Sequence, residues 1–226
     1  MRIIAISDTH GKHDMLSIPD GDVLLVAGDI TSRGHIDELW NVARWFKKQP
    51  HKVIAIAGNH DFCLENNFSN VAELALQEND VLYLKDSSVV IDGIKFYGSP
   101  WQPWFYDWAF NLRRGNEIAE KWSLIDEDTD ILITHGPAKN ILDSVANYMV
   151  GESKHVGCND LAKRIEVIGP KLHLGGHIHE AYGVEKHGET WYVNASVLDL
   201  NYKVANKPII IDIDESTKQV IDVFTE

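Results

Sequence analysis

Five short apolar runs, at residues 3–6, 23–26, 53–56, 131–133 and 172–174, each end at side chains that can hold a metal ion. Brief aliphatic stretches bounded by turn residues read as strands buried on both faces. Between them lie helical patterns. Residues 35–49 place Ile36, Leu39, Ala43 and Phe46 at helical spacing ahead of Pro50, which predicts one helix. Others are predicted over 71–77, over 115–125 with Ile118, Ala119 and Trp122 on one face, and over 157–168, where Gly169-Pro170 ends it. Strands are predicted at 81–84, 89–91 and 94–97, the last two joined by the hairpin signal Asp92-Gly93. The final third turns to strands at 181–186, 190–194, 209–213 and 220–224, with His187-Gly188 at the first turn. Alternating strands and helices followed by hairpins predict an α/β fold, two packed sheets with helices outside. Strand order stays open at this level.

Composition narrows the field. A chain of 226 residues without repeats or linker-like stretches fits one domain, residues 1–226. No apolar run approaches the roughly 20 residues needed to cross a bilayer, so no membrane role is expected. The first apolar run is too short for a secretory signal. Two cysteines, Cys63 and Cys158, supply no disulfide framework and point to a reducing, cytoplasmic location. A net charge of −13 speaks against stable DNA or RNA binding, which relies on many Lys and Arg contacts to phosphate.

The run ends carry the chemistry. Sites in α/β sheets assemble outside the carboxyl ends of strands. Asp8-Thr9-His10 is read as extended, which would put both ligands on one face, and His177-Ile178-His179 repeats the spacing. Asp29 follows a glycine and is free to bridge two cations. Asn59 offers a neutral amide oxygen and His135 an imidazole. Asp8, His10, Asp29, Asn59, His135, His177 and His179 thus form a nitrogen and oxygen donor set without thiolate. Such a set suits two divalent ions, manganese first and iron, zinc, cobalt or magnesium next, and not a closed structural zinc site. Taken singly, an Asp-x-His or a Gly-Asp is a turn or cap. Their repetition after strands is the signal.

In this order, Asp8-x-His10, Gly28-Asp29, Gly58-Asn59-His60-Asp61, His135-Gly136 and Gly176-His177-x-His179 resemble the five-block signature of the calcineurin-like metallophosphoesterases. The resemblance implies a four-layer αββα sandwich of two mixed sheets and a dinuclear metal centre. Carried over by motif, Asp8, His10, Asp29 and His179 would hold one ion, and Asn59, His135 and His177 the other, sharing Asp29. Ser7-Asp8-Thr9-His10-Gly11, Ser99-Pro100-Trp101 and Asn194-Ala195-Ser196 look closest to the metallophosphoesterase-domain branch, similar to class III cyclic nucleotide phosphodiesterases. Some relatives there carry glycine at the position of His177; this chain keeps the histidine. Ser/Thr protein phosphatases differ, with an aspartate where this chain has Ser32 and GNHE where it has GNHD.

The implied reaction is in-line attack on phosphorus by a hydroxide held between the metals, with His60 as general acid. Arg33 is a candidate for contacting a phosphoryl oxygen, against the alternative of an exposed turn arginine. Asp61 is read either as a brace for its loop or as purely structural. Of the aromatic stretch from Trp101 to Phe110, most rings are read as packing and one or two as pocket lining. His13, His35, His51 and His187 are expected at the surface, and His173 inside a strand. The expectation is a metal-dependent phosphodiesterase acting on small phosphodiesters, cyclic nucleotides foremost. Its alternatives are a phosphomonoesterase and a non-catalytic metal-binding interaction module; a DNA nuclease is disfavoured by the acidic balance.

Overall fold

A computed structural model describes residues 1–147 and 152–225. The runs read as strands are strands, and they pair into two six-stranded mixed sheets. In the first sheet the order is Val220–Phe224, Ile209–Ile213, Arg2–Ile6, Val23–Ala27, Lys52–Ile56, Val81–Tyr83. Its last four strands run parallel, while Ile209–Ile213 lies antiparallel to Arg2–Ile6. In the second the order is Gly183–His187, Thr190–Asn194, Leu172–Gly175, Ile131–Thr134, Ile94–Ser99, Ser87–Ile91. Four parallel strands again form its centre, flanked by an antiparallel strand at each edge.

Alternation along each strand divides the core. Ile3, Ala5, Val23 and Leu25 face the second sheet and pack with Phe96, Ile133 and Leu174. Ile4, Ile6, Leu24 and Val26 face outward under α1 (Ile36–Phe46) and α2 (Ser69–Gln77), which cover them with Leu39, Val42, Phe46 and Leu76. On the far side, α3 (Asn116–Ser123) and α4 (Asn159–Ile168) cover the second sheet with Ile118, Trp122, Leu161 and Ile165. Burying each large aliphatic contributes about 1.5–3 kcal/mol. The layers therefore run helix, sheet, sheet, helix, the four-layer αββα sandwich.

Local chemistry sets the ends. Asp92 and Gly93, at φ 49° and 82°, make the tight turn read from their sequence. In α4 the cap is Cys158, whose thiol accepts the Leu161 N–H at 3.4 Å, and Gly169 ends the helix in the left-handed conformation. The strand expected from 181 begins at Gly183, because Ala181 belongs to a short 3₁₀ turn following the metal motif. Two small pairings carry no clear sequence signal: Gln102–Pro103 with Asn111–Leu112, and Ser144–Asn147 with Glu152–His155.

Two histidines expected at the surface are inside. His51 is 8% exposed with Nε2 on the Pro19 carbonyl, and His13 is 5% exposed against Trp45. Neither lies in a periodic segment, so hydrophobic patterning could not place them. His173 is buried as expected, with burial lowering it to about 3.

Candidate metal centre

The two sheets meet at the carboxyl ends of their central strands. Ser7 donates its backbone N–H to the Ala195 carbonyl at 2.8 Å, and Val197 donates to the Ser7 carbonyl at 3.0 Å. This bridge ties Arg2–Ile6 of one sheet to Thr190–Asn194 of the other. The loops leaving both sheets therefore face each other across one rim.

The backbone at this rim is not extended, contrary to the i, i+2 argument. Asp8, His10, Asp29 and His177 have φ of 55°, 42°, 51° and 68°. Left-handed backbone costs a non-glycine residue roughly 1–3 kcal/mol and persists where its surroundings over-determine it. Here they do: Asp8 N–H donates to the Gly28 carbonyl, His10 N–H to the Asp29 carbonyl, and His177 N–H to the Asp8 carboxylate at 2.9 Å. Each kink turns a side chain inward. Gly58 is required by close approach, since a methyl group there would lie 2.6 Å from Cε1 of His135 and collide with the Asp29 carboxylate.

Three overlapping groups of potential donors result: Asp8, His10 and His179; Asp8, Asp29 and His135; and His10, Asp29 and His60. Within each, one donor atom per residue lies within 4.8 Å of the others. Asn59 Oδ1 sits 2.9 Å from His135 Nε2. His177 is in none of these three groups; its ring centroid is 5.0 Å from that of His135.

The imidazoles are oriented by carbonyls. His135 Nδ1 contacts the Ala27 carbonyl at 2.8 Å and His179 Nδ1 the Asp199 carbonyl at 3.0 Å. A carbonyl only accepts, so both rings carry hydrogen on Nδ1 and, when neutral, aim an Nε2 lone pair inward. His179 Nε2 then faces His10 Nε2 at 3.4 Å, and His135 Nε2 faces the Asn59 oxygen. Pairs of lone pairs at these distances repel unless a proton or a cation lies between. Burial alone would lower His135 and His179, but the charge of Asp29 and the hydrogen bond to Asp8 outweigh it and raise each to about 9. Burial lowers His10 and His177 to about 4, which keeps their rings neutral. Against its own burial, Asp8 is held well below the carboxylate range by His179 and the neighbouring imidazoles. Ionised carboxylates, the neutral rings of His10 and His177, and the rings of His135 and His179, which give up an Nε2 proton when a cation binds, are the donor set a divalent ion requires.

His60 stands at the edge of this pocket. Its Nδ1 lies 2.8 Å from the Ser32 carbonyl, its ring stacks on Trp108 at 4.3 Å, and its backbone N–H donates to Asp29 Oδ1. Asp61 is a brace. Fully buried, its carboxylate accepts from Gly58 N–H, Thr31 N–H and the Thr31 hydroxyl at 2.8, 2.9 and 2.7 Å. Arg33 lies exposed on the turn before α1, where its backbone N–H donates to Glu38.

Several contributors escaped the sequence reading. The Ser196 hydroxyl donates to Asp8 Oδ2 at 2.5 Å, and Asn194 holds the Ile178 carbonyl at 2.8 Å. Tyr202 packs its ring 4.9 Å from His10 and 5.4 Å from His179. The Asn194-Ala195-Ser196 string after a strand was a usable signal for the first two; Tyr202 offered none.

Residues 1–181 match the family model for calcineurin-like phosphoesterase. The chain belongs to that family. It is 42% identical to human metallophosphoesterase domain-containing protein 1, covering 94% of this chain and 71% of that protein. A UPF0046 protein of Caenorhabditis elegans is 34% identical, over 94% of this chain and 60% of its own length. Among solved structures, one superposes with a TM-score of 0.72 at 17% identity, covering 99% of this chain and 98% of its own. The crystal structure of TT1561 of Thermus thermophilus superposes at 0.59 and 13%, with the same coverage. These two share the fold. Family membership and the His and Asp groups together make this a metal-dependent phosphoester hydrolase with a divalent metal centre.

Two clefts open from the phosphoesterase centre. One, of about 760 Å³, is bounded by His177, Phe105, Trp104 and Arg114. The other, of about 460 Å³, is bounded by His10, His13, Ser32 and Trp45. The aromatic stretch differs from its reading as mostly packed: Phe110 is buried, but Trp104, Phe105 and Tyr106 are 60%, 53% and 68% exposed. No helix among the described residues is long and apolar enough to cross a membrane.

Proposed function

We propose that the chain is a phosphodiesterase for small phosphodiesters, with cyclic nucleotides the first class to test. The observation that carries this reading is the pair of clefts, one leaving from His177 and one from His10. A phosphodiester has organic substituents on two oxygens, and each cleft has room for one. A monoester would leave one cleft unused.

In this reading Asp8, His10, Asp29 and His179 would hold one divalent ion, and Asn59, His135 and His177 the other, with Asp29 shared. When bound, the ions supply a nucleophile at neutral pH and draw charge from the phosphoryl oxygens. Manganese is the preferred ion. Asp29 belongs to two of the donor groups and accepts the backbone N–H of His60, which ties the position of the acid's main chain to a carboxylate that would hold metal. His60 holds a proton on Nε2 for the departing alkoxide, its ring fixed by Ser32 and Trp108. Arg33, exposed on its turn, is the weakest member of the set; a substrate phosphoryl group would have to draw its side chain inward.

The test uses metal-stripped protein reloaded with manganese. Paired substrates, bis(p-nitrophenyl) phosphate and p-nitrophenyl phosphate, are compared first, then 2′,3′- and 3′,5′-cyclic nucleotides. Faster diester cleavage is expected. Faster monoester cleavage overturns the reading, and no turnover of either with metals bound favours an interaction module.

A further inference from the structure

Charge in the cleft beside His177 runs against the rest of the molecule. The chain carries −13, yet among the described residues this cleft is lined by Arg114, Lys139 and Lys154 against one carboxylate, Glu180. Two of these cations are fixed by carbonyls, with no ion pair among the described residues. Arg114 donates to the carbonyls of Gly157 and Val156 at 2.7 and 2.5 Å, and Lys139 to the carbonyl of His155 at 2.6 Å. A carbonyl orients a cation while leaving its net charge to act on the cleft.

His155 lines the same wall and is held more firmly than a surface histidine needs. Its Nδ1 lies 2.5 Å from Oδ1 of Asp143, a fully buried carboxylate, while its own side chain is 48% exposed. The other Asp143 oxygen accepts the N–H groups of Asn140 and Gly157 at 2.9 and 2.8 Å. Burying a carboxylate is costly unless its hydrogen bonds are complete. Here both oxygens are engaged, and the result is an imidazole locked through Nδ1 with Nε2 left for the cleft.

We infer that this cleft is a subsite for a second anionic group on the substrate, held by His155, Lys154, Arg114 and Lys139. The substrate class is then a phosphodiester bearing a further phosphate, such as a nucleotide diester, and not a diester whose two substituents are uncharged. This rests on the phosphodiesterase reading above. Trp104 and Phe105, the latter with its ring 6.5 Å from His177, offer faces for the organic part between the two charges.

The experiment is calorimetric titration of the manganese-loaded full chain with thymidine 3′,5′-bisphosphate and with thymidine 5′-monophosphate. The bisphosphate is expected to bind about tenfold tighter, the scale of one charge-assisted hydrogen bond. In Lys154→Gln and His155→Gln that ratio should fall toward unity. Equal affinities in the wild type, no binding of either ligand, or a preference that survives both substitutions overturns the inference; in the last case the gain would come from the metals. Turnover of thymidine 3′-phosphate 5′-(p-nitrophenyl phosphate), a diester that carries a further phosphate, is measured alongside. Preferential binding without turnover sinks the phosphodiesterase reading and leaves the anion subsite standing.

Discussion

His60 donates from Nδ1 to the backbone carbonyl of Ser32 across 2.8 Å. Where protein phosphatases are expected to place a carboxylate, this chain uses main chain. The ring is oriented all the same, and Nε2 is left for the pocket. His60→Gln keeps a polar side chain but cannot deliver that proton. Turnover of an alkyl phosphodiester should fall about 10²–10⁴-fold, with metal content by plasma mass spectrometry unchanged. A parallel loss of metal would make His60 a ligand, as its place beside His10 and Asp29 allows.

Ser196→Ala removes the hydroxyl that donates to Asp8 at 2.5 Å. Groups that orient a ligand commonly contribute about 10–100-fold to metal affinity. Manganese affinity, measured by competition with a chelating dye, should drop by that factor while the fold's circular dichroism stays the same. Unaltered affinity would mean that Asp8 is held adequately by the His177 N–H alone.

Asp61→Ala should lower stability by about 3 kcal/mol or more, because it strands the buried donors of Gly58 and Thr31 together. Urea unfolding measures this directly. Asp61→Asn restores part of the acceptor set and should recover part of the loss.

Acid should destabilise the protein through His173. Its folded value, about 3, lies below the ordinary 6.5. The unfolded chain therefore takes up the proton first as pH falls, and stability is lost from pH 6.5 down to about 3. The share from this residue is about 2 kcal/mol at pH 5. Urea unfolding at pH 7 and pH 5 should show the wild type losing about that much more than His173→Leu.

Much of the centre was legible because strand ends with glycine, Asp, Asn and His are residue-type signals. Asp8, His10, Asp29, His135 and His179 lie near one another, with Asn59 against His135 and His177 beside it. The hidden part has a physical reason. Ser32, Ala27 and Asp199 act through carbonyls that every residue possesses, so side-chain identity cannot reveal them. The left-handed turns at Asp8, His10, Asp29 and His177 are imposed by hydrogen bonds between distant loops, which outweigh local preference. Exposure of Trp104, Phe105 and Tyr106 runs against hydrophobicity, the quantity from which burial was read.

The bridge between Ser7 and Ser196 has an evolutionary corollary. The family match stops at residue 181, yet the hydroxyl on Asp8, the carbonyl on His179 and the ring over His10 all come from residues 196–202. The family model thus describes the first four-fifths of the chain, while relatives that align over 94% of it also share the downstream strap that shapes the pocket's outer wall. Exchanging that strap among relatives would retune the centre without touching one metal-binding motif.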